Sequence, residues 1–369
     1  MIRPIYPLVF TLFFTSILLS QDLISITNGQ VAVVVDKVTG QFAIGSADGV
    51  PLIDGYPTDP HHTHICLRMQ GHSYSNETGL AEYDFVLRDS AEIYDNTISI
   101  VWNVGVRRLW EKFYTLDEDS LRGFIYIEYI FYNDAPDSIY AGMLEYMDVK
   151  IGDNDAPTIE VPGEIVDNEM SYQYTLVPAY WTFYENYEDT LSNVAWGVPF
   201  GTEDIYVDMV SFSDVEYVSE VTWNFMGFGR AINDLATLMR WDELPIEPYA
   251  FYRTGHYYGL GYPNVSVEEV LHKLNPSNLI FGAPYPNPTN GAVKIDIEII
   301  DHPQNVELDI FSIDGKLVRT LCSGSCDVGK HTFRWNLCDT YEKSVSSGVY
   351  VVKLLSGRTV WNRSIVVVK

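Results

Sequence analysis

Val293-Lys294-Ile295-Asp296-Ile297-Glu298-Ile299 alternates apolar and charged residues without a break. Successive side chains of a β-strand point to opposite faces, so this pattern buries one face and wets the other. Upstream, Ile98-Ser99-Ile100 followed by Trp102 and Val104 shows the same habit. Phe124-Ile125-Tyr126-Ile127-Glu128-Tyr129-Ile130-Phe131-Tyr132 is apolar or aromatic on nearly both faces, which predicts a central strand. The 26 Tyr and 17 Phe suit strands as well.

Turn signals cut these runs at short intervals: Asn28-Gly29, Thr39-Gly40, Asp48-Gly49, Asp54-Gly55, Asn133-Asp134, Asp314-Gly315 and Ser356-Gly357. Short strands broken so often predict an all-β protein of antiparallel sandwiches rather than βαβ units. One segment reads as helix, Ser266 to Leu274, where Ser266 with Glu269 fits a capping box and Asn275-Pro276 ends the run. Ala231–Trp241 is ambiguous by pattern and is read as strand from its Trp- and Gly-rich surroundings.

Charge divides the chain. The net charge of the 369 residues is −27. Residues 284–369 hold 10 Lys+Arg and 9 Asp+Glu, a balance of +1, whereas residues 22–283 hold 12 and 41, a balance of −29. Such asymmetry marks two regions under different constraints. The expected organisation is a signal peptide at 1–20, a large acidic β-sandwich body at 22–263, a linker with a short helix at 264–283 and a small β-sandwich tail at 284–369. The acidity excludes a general nucleic-acid binder and a polybasic membrane-surface protein, both of which need positive charge.

The signal reading rests on Arg3, an apolar stretch from Tyr6 to Leu19 and the small Ser20 before polar Gln21-Asp22. The alternative is an uncleaved anchor; no membrane span is expected after its removal. Of the four cysteines, Cys66 stands alone and three lie in the tail. Cys322 and Cys326 flank Ser323-Gly324-Ser325 and are the leading disulfide candidate, with Cys326–Cys338 as the alternative.

The tail resembles the C-terminal sorting domain of the bacterial type IX secretion system and its relative, the FlgD-type immunoglobulin-like domain. Five ordered blocks carry the resemblance. Tyr285-Pro286-Asn287-Pro288-Thr289-Asn290-Gly291 comes first, then the hairpin Val306-Glu307-Leu308-Asp309-Ile310-Phe311-Ser312-Ile313-Asp314-Gly315-Lys316-Leu317-Val318. Gly329 with His331, Phe333, Trp335 and Asn336 follows, then Ser347-Gly348-Val349-Tyr350, and the chain closes on Ile365-Val366-Val367-Val368-Lys369. The resemblance implies an Ig-like fold, export to the cell surface or medium, and recognition by outer-membrane secretion machinery. A stalk module of the same fold is the alternative. Independently of it, Pro286 and Pro288 lack N–H donors and belong outside a central strand, and Trp335 and Tyr350 read as core aromatics.

The body carries no nucleophile elbow, zinc-protease or phosphate-loop motif. Three stretches are candidates for ligand chemistry. Asp59-Pro60-His61-His62-Thr63-His64 with His72 gathers four of the eight histidines, and strand spacing puts His62 and His64 on one face for a transition metal, with Asp59 or His72 adding a ligand. Asp153, Asn154 and Asp155 offer clustered oxygens for Ca2+, without an EF-hand spacing. Tyr172, Tyr174, Tyr180, Trp181, Phe183, Tyr184 and Tyr187, beside Glu185 and Glu188, suit sugar stacking. Each has a plainer reading: a polar loop, an acidic turn and buried sheet aromatics. The body also loosely resembles the supersandwich domains of galactose-mutarotase-like and carbohydrate-processing proteins, a likeness of fold that carries no catalytic residue. Two functions are open. One is an exported, non-catalytic binding or structural module for glycan or calcium. The other is a secreted carbohydrate-active enzyme, which requires two close, shielded carboxylates in a concave pocket.

Overall fold

The computed structural model describes residues 22–118, 121–201, 207–261, 279–282, 284–299, 303–312, 316–356 and 359–369. The segment read as a signal peptide, the helix expected from Ser266 to Leu274 and the Asp314-Gly315 turn lie outside the described residues. Elsewhere the chain is strand after strand. The α-helix among the described residues is a single turn, Val215–Val218, capped by the Asp214 carboxylate, which accepts from the Glu216 N–H at 3.0 Å. The all-β expectation holds.

Two large sheets form the body. The nine-stranded sheet runs Glu164–Val166, Thr158–Val161, Trp181–Tyr184, Val194–Val198, Phe251–Leu260, Phe124–Tyr132, Arg107–Thr115, Thr97–Val104 and Val86–Tyr94. The seven-stranded sheet runs Met170–Gln173, Met209–Asp214, Leu235–Ile246, Ile139–Asp148, Thr63–Met69, His72–Ser75 and Tyr83–Asp84. Pairing is antiparallel throughout except for the short Tyr74–Tyr83 contact at the seven-stranded sheet's edge. A three-stranded sheet, Leu23–Thr27, Val31–Asp36 and Phe42–Ser46, adds a middle strand buried along its whole length.

The core explains the patterns. Ile125, Ile127, Tyr129 and Phe131 point inward and meet Met143, Met147, Met239 and Trp241 of the seven-stranded sheet in one apolar cluster. Phe124, Tyr126, Trp196 and Tyr257 form a second cluster on the opposite face of the nine-stranded sheet. Phe124–Tyr132 is therefore a central strand with both faces occupied, paired to Phe251–Leu260 on one side and Arg107–Thr115 on the other. The ambiguous stretch around Ala231–Trp241 becomes the strand Leu235–Ile246.

The tail has its own core of Val293, Ile295, Ile297, Ile299, Leu308, Ile310, Trp335, Val352 and Ile365, among others. Val293–Ile299 buries its apolar residues and leaves Lys294 exposed, as alternation requires. It pairs with Gly329–Trp335 and with Leu279–Phe281, so part of the segment read as linker supplies a strand to the tail. A four-stranded sheet orders Leu317–Cys326, Gln304–Ser312, Gly348–Ser356 and Thr359–Val367.

Candidate functional site

Three neighbouring strands of the nine-stranded sheet, Arg107–Thr115, Phe124–Tyr132 and Phe251–Leu260, present alternate residues away from the core. Trp110, Lys112, Ile130, Tyr132, Phe251 and Arg253 line a depression of about 160 Å³ there. The register sets Trp110 and Arg253 directly across from Ile130, and Phe251 across from Tyr132. Trp110 and Tyr132 meet edge to face at 6.3 Å. The Arg108 guanidinium lies over both rings, at 4.8 and 5.2 Å, and its Nε and Nη2 donate to Asp134. Phe251 is 56% exposed at the edge of this depression.

Polar groups sit at the floor of this face. The Tyr114 hydroxyl donates to Glu128 Oε2 at 2.7 Å, and Arg253 Nε lies 3.5 Å from Glu128 Oε1. Burial pushes the Tyr114 phenol far above its ordinary value, and the bond to Glu128 adds to this. The arrangement offers flat apolar rings beside fixed donors and acceptors.

The histidine cluster is built differently from its sequence expectation. His64 is buried, stacks on Tyr146 at 4.5 Å and pairs through Nδ1 with Glu77 at 3.1 Å. His72 is exposed and pairs with Glu82. His62 instead turns its Nδ1 to Asp54 Oδ2 at 3.2 Å and Asp148 Oδ2 at 3.3 Å, with Asp59 Oδ2 3.9 Å from Nε2. His62 and His64 therefore have separate partners. The bond to Asp148 raises the His62 pKa, while burial raises that of Asp148. Nearby, burial and then the charges of Asp148 and Asp155 push the Asp234 carboxyl up to about 6.

Asp153, Asn154 and Asp155 lie in the turn after Ile139–Asp148 and have local partners. Asn154 Oδ1 accepts from the Ala156 N–H at 2.9 Å, Asp155 pairs with Lys150 at 2.7 Å, and the Asp153 N–H donates to Glu185 Oε1. The aromatic stretch is divided. Trp181 and Phe183 are fully buried, Tyr184 donates to Glu160, and Tyr187 is exposed beside it. Glu185 is held by Asn193 and the Asp153 N–H, and exposed Glu188 stands apart. Sequence reasoning missed the Trp110–Phe251 face, although a strand with aromatics on its polar-side positions (Trp110, Tyr114) was a readable signal.

The body also contains two close, shielded carboxylates, Glu111 and Glu145, with His256 Nε2 2.8 Å from Glu145 Oε2. Both are fully buried inside the sandwich.

Residues 283–368 match the family profile described as a secretion system C-terminal sorting domain. The tail is a secretion system sorting domain. The protein is thus cargo of type IX secretion, delivered to the cell surface or the extracellular space through that machinery. No helix among the described residues is long and apolar enough to cross a membrane. Among solved structures, a polysaccharide lyase aligns over 94% of this chain at 10% identity with a TM-score of 0.47, and the chain spans 46% of that lyase's length. A galactose mutarotase related enzyme from Lactobacillus acidophilus aligns over 65% of the chain and 98% of its own at 7% identity, TM-score 0.38. A putative aldose 1-epimerase from Escherichia coli K12 aligns over 65% and 99% at 9% identity, TM-score 0.38. Among curated protein sequences there is no match.

Within the sorting domain, Asn287 acts as a side-chain strand. Its Nδ2 donates to the Ser364 carbonyl at 2.9 Å and its Oδ1 accepts from the Val366 N–H at 2.8 Å. Pro286 and Pro288, which have no N–H to offer, flank it on this edge. Gly329 opens its strand at φ +120°, a conformation that favours glycine. Trp335 is fully buried, packs on Tyr350 at 5.1 Å and donates to the Cys338 carbonyl at 2.9 Å. Gly348 and half-exposed Val349 begin the strand that carries Tyr350. Lys369 extends its ammonium to Ser344 and the Val345 carbonyl. The sulfurs of Cys322 and Cys326 lie 3.8 Å apart.

Proposed function

We propose that the body is a non-catalytic glycan-binding module which the sorting domain delivers outside the cell. The observation that carries this reading is the depression lined by half-buried Trp110 and Tyr132 and exposed Phe251, together with Lys112 and Arg253. Sugar rings present C–H faces for stacking on such rings and hydroxyls for fixed charged groups. The enzyme alternative requires two carboxylates that substrate can reach. Glu111 and Glu145 are closed to solvent, which supports binding over hydrolysis.

The test is binding of the full chain to a glycan array and to insoluble polysaccharides. The parent is expected to bind, and the pair Trp110→Ala with Phe251→Ala to lose affinity about thirtyfold, the usual scale for removing buried aromatic anchors. No binding by the parent, or equal binding by the double variant, would overturn the proposal. Release of reducing ends from the bound glycan would restore the enzyme alternative.

A further inference from the structure

We propose that Asp54, His62 and Asp148 form a binding site for a zinc-class divalent metal ion. One ligand atom from each residue lies within 4.8 Å of the others. His62 Nδ1 is 3.2 Å from Asp54 Oδ2 and 3.3 Å from Asp148 Oδ2. An ion about 2.0–2.2 Å from nitrogen and oxygen donors, with ligand angles near tetrahedral, separates those donors by about 3.2–3.5 Å. Both edges that meet at His62 Nδ1 already stand at that spacing, and the Asp54 and Asp148 oxygens lie within 4.8 Å of each other.

The backbone fixes the three segments to one another. The Asp54 N–H donates to the Asp148 carbonyl at 3.0 Å, and the Asp148 N–H donates to the His62 carbonyl at 3.0 Å. Asp148 thus joins the turn after the three-stranded sheet to the residue before Thr63–Met69. Gly55 passes beneath the imidazole at φ +79°, where a Cβ would lie 1.8 Å from the Asp59 carbonyl and 2.8 Å from His62 Cδ2. Only glycine permits this turn. The ligand positions are set by main chain rather than by long flexible side chains, and that lowers the ordering cost of binding.

The other ring nitrogen has a carboxylate within ion-pair range, one whose Oδ1 also meets His61 Nδ1 at 2.8 Å. Metal-bound histidines commonly direct their second nitrogen to a carboxylate that fixes the tautomer. His62 Nε2 faces Asp59 Oδ2 at 3.9 Å. Lys150 approaches the opposite oxygen of Asp54, Oδ1 at 3.7 Å, and leaves Oδ2 to the cluster. Two carboxylates neutralise a divalent ion. An imidazole ligand favours zinc and the neighbouring later transition metals over calcium, which takes six to eight oxygens.

The competing occupant is a proton on Nδ1 shared with the two carboxylates. Chelator-stripped full-length protein separates the two cases. Stoichiometric Co2+ is expected to give a visible absorption band, and Zn2+ at about a hundredfold excess over its Kd to raise Tm by about 5 °C or more. His62→Gln and Asp54→Asn are expected to lose the cobalt band, whereas His64→Gln, two residues along the strand, keeps it. Asp54 is half-exposed, so its variant tests the site even where His62→Gln fails to fold. A parent with no band and no zinc-dependent shift overturns the proposal, as does a band that survives Asp54→Asn and vanishes in His64→Gln.

Discussion

At the scale of single residues, the sharpest energetic feature is a carboxylic acid buried in the core. Glu111 faces Glu145 across the two sheets, with the Tyr129 phenol against both and His256 beside Glu145. Burial pushes the Glu111 carboxyl well above its ordinary range, and the Glu145 charge pushes it further. An acid whose folded pKa is raised binds a proton on folding. Its stabilising contribution is present below the unfolded value near 4.5 and is lost as pH rises towards the folded value, at up to about 1.4 kcal/mol per pH unit. Glu111→Gln keeps the shape and removes the titration. Urea unfolding across pH 5–8 is expected to show a variant-minus-parent stability that grows with pH. A difference that stays flat over that window would mean Glu111 is ionised in the core.

At the scale of elements, Gly259 limits the central pairing. It sits opposite Phe124 in an uninterrupted register. A Cβ there would lie 2.0 Å from the Gly123 carbonyl oxygen. Gly259→Ala is expected to cost more than about 2 kcal/mol, read as a lower urea midpoint at unchanged m, because backbone must move to admit it. Unchanged stability would show that Phe251–Leu260 can shift without loss. The strands Phe124–Tyr132 and Val293–Ile299 were legible because side-chain alternation is a local property. Sheet order was not, since Ile139–Asp148 finds Leu235–Ile246 only through contacts nearly a hundred residues apart. The histidine cluster failed for that reason. Period two placed His64 with His62, but Tyr146 and Glu77 claim His64, and the true neighbours of His62 come from positions 54 and 148.

At the scale of the whole molecule, charge and destination are linked. Residues 22–283 carry −29 and the tail carries +1, and the tail is the sorting domain. The signature blocks of the tail were legible because they lie close together in sequence, and their buried anchors Trp335 and Tyr350 report a folded unit rather than a linear tag. A secretion machinery that reads a folded domain responds to loss of its core as it does to loss of the domain. In a host with type IX secretion, the chain lacking residues 284–369 is expected to stay inside the outer membrane, and Trp335→Ala, at a cost of about 3–5 kcal/mol to the tail core, to reduce surface and medium protein with it. Export of Trp335→Ala at the parent level would show that recognition needs only the linear blocks. Intact-mass analysis of the exported parent is expected to end the chain near residue 283, leaving the −29 body free in solution. Where the tail is retained, its mass is expected to be two hydrogens lower, with Cys322 joined to Cys326, because their sulfurs already stand 3.8 Å apart and the export route is oxidising. Alkylation of both thiols without prior reduction would exclude that bond.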